Sequence, residues 1–172
     1  LHLSIRRQRQ MCIRDRAYNT NFVREIGRDT CEYAGGENFM VEDDLVENFI
    51  RQKDEVRRAA RHSNRLLFVD TDALTTGFYC DLLMDDDEQK RRLTDMAGAI
   101  NATNKWDLVL FLDPDETDFV QDGTRNEKIM RERRHYSDLL KAWFDKYGVH
   151  CETISGDYLD RFNTAKKLIE ER

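Results

Sequence analysis

At 172 residues the chain is long enough for one domain with a core of useful size. Charged residues make up 36% and apolar residues 40%, a soluble globular balance that excludes a disordered tail, and no stretch approaches the ~20 continuous apolar residues of a membrane span. The net charge is −6, but five of the 28 basic side chains and one of the 34 acidic ones fall in residues 1–16, leaving 23 against 33. An acidic body excludes general nucleic-acid binding by charge, so any basic site must be local. Cys12, Cys31, Cys80 and Cys151 are far apart, without the paired spacing of a zinc site or a disulfide framework, which points to a reduced, cytoplasmic protein.

Leu1 to Arg16, LHLSIRRQRQMCIRDR, is Arg-rich and has neither a signal peptide's apolar core nor a helical face. It resembles translated adapter read-through at the end of a gene model and is set apart as non-native; the alternative is a genuine basic arm. The domain is expected over 17–172. Ala17 to Asn19 reads as the last turn of a helix. Thr20 to Glu25 reads as a short strand ending in the ionisable run Arg24-Glu25-Ile26-Gly27-Arg28-Asp29. Gly35-Gly36 with Glu37 and Asn38 marks a loop. From Met40 to about His62 the pattern is helical, with Val41, Leu45, Phe49, Val56 and Ala60 inward and Glu42, Asp43, Glu47, Lys53, Asp54 and Arg57 on the wet face.

Leu66-Leu67-Phe68-Val69-Asp70-Thr71-Asp72 organises the chain. Four bulky apolar residues are too few for a helix and suit the middle of a parallel sheet. Asp70 then lies at the strand's carboxyl end, where open α/β sheets face their ligand crevice and a carboxylate can hold Mg²⁺ against nucleotide phosphates. The bland alternative is a solvated carboxylate opening a loop. Asp72 is expected beside the acceptor substrate. Thr75 and Thr76 follow at a helix start, where their hydroxyls suit either phosphate or ribose binding or simple capping. Asp85-Asp86-Asp87-Glu88 with Lys90-Arg91-Arg92 reads as an acidic helix start and a basic continuation rather than a metal site, because adjacent helical side chains diverge.

Leu108 to Leu112 is the clearest strand and is expected to be central and buried on both faces. Beyond Asp113-Pro114-Asp115 comes the one concentrated basic cluster, Arg125, Lys128, Arg131, Arg133 and Arg134. Asp122-Gly123 is a turn signal, and a lid is placed at about 119–135, with Arg131 and Arg134 sharing a helix face. Arginines on such a segment can neutralise a transferring phosphoryl group; the alternative is a helix surface balanced by Glu127 and Glu132. Tyr136 to Tyr147 is an amphipathic helix with Leu139, Leu140, Trp143 and Phe144 inward, closed by Gly148. Val149 to Ile154 is the last strand and Gly156 to Glu171 the last helix. His135 and His150 read as structural or exposed. Strands near 21, 66, 108 and 149 alternating with helices imply an α/β fold with parallel strands and right-handed crossovers.

Asn19-Thr-Asn-Phe-Val-Arg-Glu-Ile-Gly-Arg-Asp29, Phe68-Val-Asp-Thr-Asp-Ala-Leu-Thr-Thr76, Trp106-Asp-Leu-Val-Leu-Phe-Leu112 and Asp122-Gly-Thr-Arg125 resemble, in matching order, the ribosylnicotinamide kinase domain of NadR-type NAD biosynthesis proteins. The resemblance implies a P-loop kinase-like parallel sheet flanked by helices, with ATP and Mg²⁺ as cofactors. The implied reaction moves the γ-phosphoryl group to the 5′-hydroxyl of nicotinamide riboside, a small-molecule nucleoside, with no nucleic-acid or membrane partner. It also implies a general base at Glu25, with Asp72 as the competitor. Arg24 and Arg28 would be supporting and substrate-binding residues, Arg125 would be catalytic, and Arg131 or Arg134 would contact the cofactor. The family opens with a strand and a G-x-x-x-x-G-K-[ST] loop, neither of which occurs here, so the chain is expected to be truncated and inactive by itself. Two rivals stand beside this: a non-catalytic nucleotide-binding regulatory module, and a P-loop kinase for another nucleoside or nucleotide.

Overall fold

The computed structural model describes residues 18–36, 40–114 and 131–172. It divides into two compact units, one up to Asn101 and the other Ala102–Arg172.

The first unit opens with strand β1 (Phe22–Val23) and helix α1 (Ile26–Ala34). Helix α2 (Glu42–Ala60), strand β2 (Phe68–Val69), helix α3 (Ala73–Leu83) and helix α4 (Asp87–Thr103) follow, α4 running just past the unit's edge. β1 and β2 pair in parallel, with Phe22 opposite Phe68 and Val23 opposite Val69. Helix α1 ends where Gly35, at φ 90°, lets its own N–H return to Glu32 O and that of Gly36 to Cys31 O, a closure that needs a left-handed residue. The expected Gly35-Gly36 loop is thus a helix stop. Asp86 starts α4 by accepting the Gln89 N–H at 2.7 Å, and Asp87 and Glu88 fill its acidic first turn, as the charge run implied.

The core of this unit joins Leu45 and Phe49 of α2, Ala73 and Cys80 of α3, and Leu93 and Ala97 of α4. Met40, Val46, Met84, Met96 and Ile100 pack around it. Burying Phe49 alone is worth about 1.5–3 kcal/mol. A bidentate Arg92–Glu42 ion pair, 2.9 Å at each arm, ties the start of α2 to α4. Two inward expectations on α2 fail. Val41 is the helix N-cap and 60% exposed, since a residue before the first turn does not follow the helical period, and Ala60 at the last turn is also exposed. Their place on the buried stripe is taken by Asn48 and Gln52.

The second unit contains strand β3 (Leu110–Leu112), helix α5 (Arg133–Lys146), strand β4 (Glu152–Ile154) and helix α6 (Tyr158–Glu170). β3 and β4 are parallel, Leu110 opposite Glu152 and Leu112 opposite Ile154. The expectation of a strand buried on both faces is corrected: Leu108–Phe111 are half-buried and Leu112 is 52% exposed. β3 has one strand neighbour among the described residues, so one of its edges gains no cover from a ladder. Both pairs are also shorter than the apolar runs that announced them.

Helix α5 buries Tyr136, Trp143 and Phe144, with Leu140 half-buried. Leu139 is 40% exposed, against expectation: it lies at one edge of the stripe formed by 136, 140, 143 and 144, about 60° from Tyr136 on the side away from Phe144. Gly148, at φ 69°, closes the helix by donating to Asp145 O while Val149 N–H reaches Phe144 O. Asp157 caps α6 and Asp160 reaches back in a capping box. The alternating, parallel α/β organisation expected from the sequence is what both units display.

Candidate active site

In the first unit the strand register brings two carboxylates to one end of a parallel pair. Asp70 N–H donates to Val23 O at 2.8 Å, so Asp70 leaves β2 level with the end of β1, and Glu25 follows β1 two residues beyond Val23. Glu25 is the N-cap of α1 but makes no side-chain cap bond. Its carboxylate lies 3.6 Å from Arg28 Nε, an i,i+3 pair in which the Arg28 side chain is only 16% exposed. Arg24 is instead paired with Asp29 and stands in solvent. Of the two arginines expected beside Glu25, Arg28 is the one that reaches it.

Asp70 is exposed, and its carboxylate takes no hydrogen bond or ion pair among the described residues. Asp72, two positions on, is 8% exposed and is the N-cap of α3. Its Oδ1 accepts the Thr75 N–H at 3.0 Å and the Thr75 hydroxyl at 3.2 Å, and the Thr76 hydroxyl donates to the Asp72 carbonyl at 3.4 Å. Both threonine hydroxyls thus donate to Asp72, that of Thr75 to the capping carboxylate and that of Thr76 to the backbone carbonyl one turn back. Between the aspartates Thr71 sits at φ 64°, a left-handed conformation that costs a side-chain-bearing residue about 1–2 kcal/mol. The Gln52 amide donates to its carbonyl at 3.2 Å.

Neither Gln52 nor Asn48, the buried amides nearest this turn and α1, was singled out from the sequence. The available signal was their spacing: Leu45, Asn48, Phe49, Gln52 and Val56 form one helical stripe with two amides set into it.

The same helix that Asp72 caps carries Cys80, fully buried, whose thiol burial pushes up to about 12. It is a core residue and no nucleophile.

In the second unit the basic cluster is partly described. Arg125 and the lid residues 119–130 lie outside the described residues. Arg131 precedes α5, whose N-cap is Glu132 at φ −109°, ψ 30°; that non-helical residue removes the shared helix face expected of Arg131 and Arg134. Arg134 Nη1 lies 3.0 Å from Asp113 Oδ1, and its Nε is 3.8 Å from Asp138. Arg161 Nη2 donates to the Asp113 carbonyl at 2.6 Å. Arg134 thus has a structural partner. His150 is 81% exposed beside Glu152, and His135 stacks edge-on with Tyr136, as expected of non-catalytic histidines.

As a donor, one exposed carboxylate at a strand end suits Mg²⁺, a hard ion that keeps several waters and takes one or two protein carboxylates plus phosphate oxygens. No group of three metal-ligating side chains occurs among the described residues. The 172 residues contain no G-x-x-x-x-G-K-[ST] motif, so that type of phosphate cradle is not supplied by this chain.

A family model described as AAA domain matches residues 9–161. The chain belongs to the AAA domain family. Among characterised relatives of this AAA domain, the trifunctional NAD biosynthesis/regulator protein NadR of Escherichia coli (strain K12) is 24% identical over 157 residues, 90% of this chain and 37% of the relative. The protein of the same description from Salmonella typhimurium matches with the same identity and shares. The chain therefore spans little more than a third of these relatives' length. A NadR protein solved in complex with NR superimposes with a TM-score of 0.79 at 24% identity, over 91% of this chain and 45% of that one. A NadR protein solved with NAD and AMP-PNP gives 0.75 at 23%, over 91% and 43%. The resemblance to NadR-type proteins and the P-loop kinase-like α/β fold it implied both hold. No helix among the described residues of this AAA domain is long and apolar enough to cross a membrane.

Proposed function

We propose that this AAA domain forms the acceptor side of a nucleoside kinase, acting in ATP-dependent phosphorylation of nicotinamide riboside to its mononucleotide in a cytoplasmic NAD salvage reaction. The observation that carries the reading is the pair of carboxylates, Glu25 and Asp70, set by the Val23–Val69 register at one end of β1–β2 while neither is spent on a helix cap. Relatives described as NAD biosynthesis proteins and a neighbour solved with NR support the choice of nucleoside.

Glu25 is the general base. A sugar hydroxyl is a weak nucleophile until a carboxylate within hydrogen-bond reach accepts its proton, and the Glu25 side chain is held by Arg28 rather than by its own helix. Asp72, half-committed to the Thr75 cap, is the weaker candidate and contributes to orientation beside the acceptor. Asp70 would hold Mg²⁺, which when bound supplies charge neutralisation to ATP phosphates. Arg28, with Arg24, Thr75 and Thr76, would bind the acceptor. Arg125, with Arg131 or Arg134 as helper, would neutralise the phosphoryl group being transferred. Arg134 must exchange Asp113 for phosphate to do so.

The test uses the chain supplied with the strand and phosphate-binding loop that P-loop kinases carry. Single-turnover transfer from labelled ATP to nicotinamide riboside is compared for Glu25→Gln and Asp72→Asn. The expected result is a loss of about 10²-fold or more for Glu25→Gln and a smaller loss for Asp72→Asn. A near-normal chemical step in Glu25→Gln with a lost one in Asp72→Asn would reverse the assignment. A second reading is a nucleotide-binding regulatory module; binding without turnover in the completed protein would select it.

A further inference from the structure

A buried primary amide on an apolar helical stripe is desolvated at a cost and must recover it through hydrogen bonds, whereas Leu or Met at the same position would fill the core without that cost. Helix α2 carries two such amides one turn apart, Asn48 at 3% and Gln52 at 7% exposure. Each reaches a different segment of the candidate site. Asn48 accepts the hydroxyl of Thr30, itself 5% exposed, and its Nδ2 stands 3.7 Å from where a Cβ on Gly27 would lie, against the first turn of the helix that Glu25 begins. Gln52 Nε2 donates to the carbonyl of Thr71, the residue between Asp70 and Asp72.

Thr71 is β-branched and has φ 64°, a conformation such residues adopt only where their surroundings over-determine it. The turn is held at three points: Asp70 N–H on Val23 O, Thr71 C=O on Gln52, and Thr75 N–H on Asp72 Oδ1. The first fixes the turn to β1 and the third fixes it to α3. The Gln52 bond holds the carbonyl of the peptide plane that joins Thr71 to Asp72. Without it Thr71 is free to relax to negative φ, which swings that plane and redirects both carboxylates.

We infer that Gln52 is a positioning residue for Asp70 and Asp72, its buried amide locking Thr71 in the left-handed conformation that aims the two carboxylates. With Asn48 it makes α2 the common support of both carboxylate-bearing segments. The inference deepens the kinase reading and rests on it for its catalytic consequence, but the locking itself is measurable without turnover.

The experiment uses Gln52→Met, which keeps length and removes the donor, and the double variant Gln52→Met/Thr71→Gly, in which glycine adopts positive φ without steric cost. Amide hydrogen exchange at Thr75 and Thr76 is read in the chain. Gln52→Met should speed it about five- to ten-fold, the equivalent of one neutral hydrogen bond, and the double variant should recover most of the loss. In the completed protein kcat for nucleoside phosphorylation should fall by a similar factor or more with KM for ATP nearly unchanged, again with partial rescue by Thr71→Gly. A purely structural Gln52 would lose stability with no rescue from position 71, and that result overturns the proposal. So does unchanged exchange in Gln52→Met. Should that variant fail to fold, Gln52→Glu, isosteric and without the donor, takes its place. Altered exchange in a protein that phosphorylates no nucleoside would overturn the kinase reading and leave the lock standing.

Discussion

Asp70 follows β2 directly and Asp113 follows β3 directly, so each parallel pair ends one strand in an aspartate, and the two have opposite fates. Asp113 is 16% exposed as a side chain, bound by Arg134 from α5, with Arg161 of α6 on its carbonyl. Asp70 is exposed and keeps its charge uncompensated among the described residues. A carboxylate at a strand end is thus not in itself a site. What separates the two is whether a later helix delivers a cation, and Arg134 comes from 21 residues away. The contrast teaches that neutralisation, not position, distinguishes a structural aspartate from one available to a ligand.

The largest effect should come from exchanging the two. In the completed protein Asp70→Asn should cost about 10²-fold or more in single-turnover rate, while its melting temperature stays near wild type because the side chain has no partner to lose among the described residues. Asp113→Asn should leave the rate within a few-fold and lower stability by up to ~1 kcal/mol, the range of an exposed ion pair. Equal rate losses would break the comparison. Next in size is packing. Phe49→Ala, at 1% exposure, should cost about 3–5 kcal/mol in denaturant unfolding, whereas Leu139→Ala, at 40%, should stay within ~0.5 kcal/mol.

A smaller effect separates the cysteines of the two units. Alkylation of the native protein at pH 8 should leave Cys80, with its thiol near 12, unmodified, and should modify half-exposed Cys151; mass spectrometry of peptides reads both. The smallest is electrostatic. Hydrogen bonding to Arg92 holds the Glu42 carboxyl below its ordinary value, so its contribution is present above the unfolded value of about 4.3 and is lost as pH falls through the lower folded value. Glu42→Gln should therefore melt slightly below wild type at pH 6, and thermal scans should show the gap narrowing as the pH is taken below the ordinary carboxylate range.

Elements with strong period or punctuation were legible: α2 from Leu45 and Phe49, α4 from its acid-then-base run, α5 from Trp143, Phe144 and Gly148, and β2 from Leu66–Val69 with Asp70 at its end. The helix-face expectations failed at Val41 and Ala60, at the two ends of α2 where the helical period no longer sets the side chain's direction, and at Leu139, on the edge of the buried stripe of α5. The burial of Leu108–Leu112 was overestimated because an apolar run reports what a strand would bury beside two neighbours, not how many it has. The pairing of Arg134 with Asp113 was invisible, since charge spacing along the chain carries no information about a partner 21 residues away. Gln52 was hidden for a related reason. Its neighbours read it as a polar interruption of a stripe, and its meaning lies in the conformation of Thr71, which no local pattern of threonine announces.

Gly156 precedes the cap of α6 at φ 92°, and a Cβ there would come within 2.7 Å of the Asp160 Cβ and 2.9 Å of its carboxylate. That carboxylate is the returning half of the capping box on the Asp157 N–H. Position 156 is consequently closed to side chains on two independent counts, backbone handedness and occupied volume. In a library randomised over residues 155–158 and sorted for folding, Ser155 and Tyr158, both exposed, would diversify, while 156 would return glycine in nearly every survivor. The junction between β4 and α6 is thus fixed at 156 and held to a capping residue at 157, and the safe place to graft or tag this unit lies outside it.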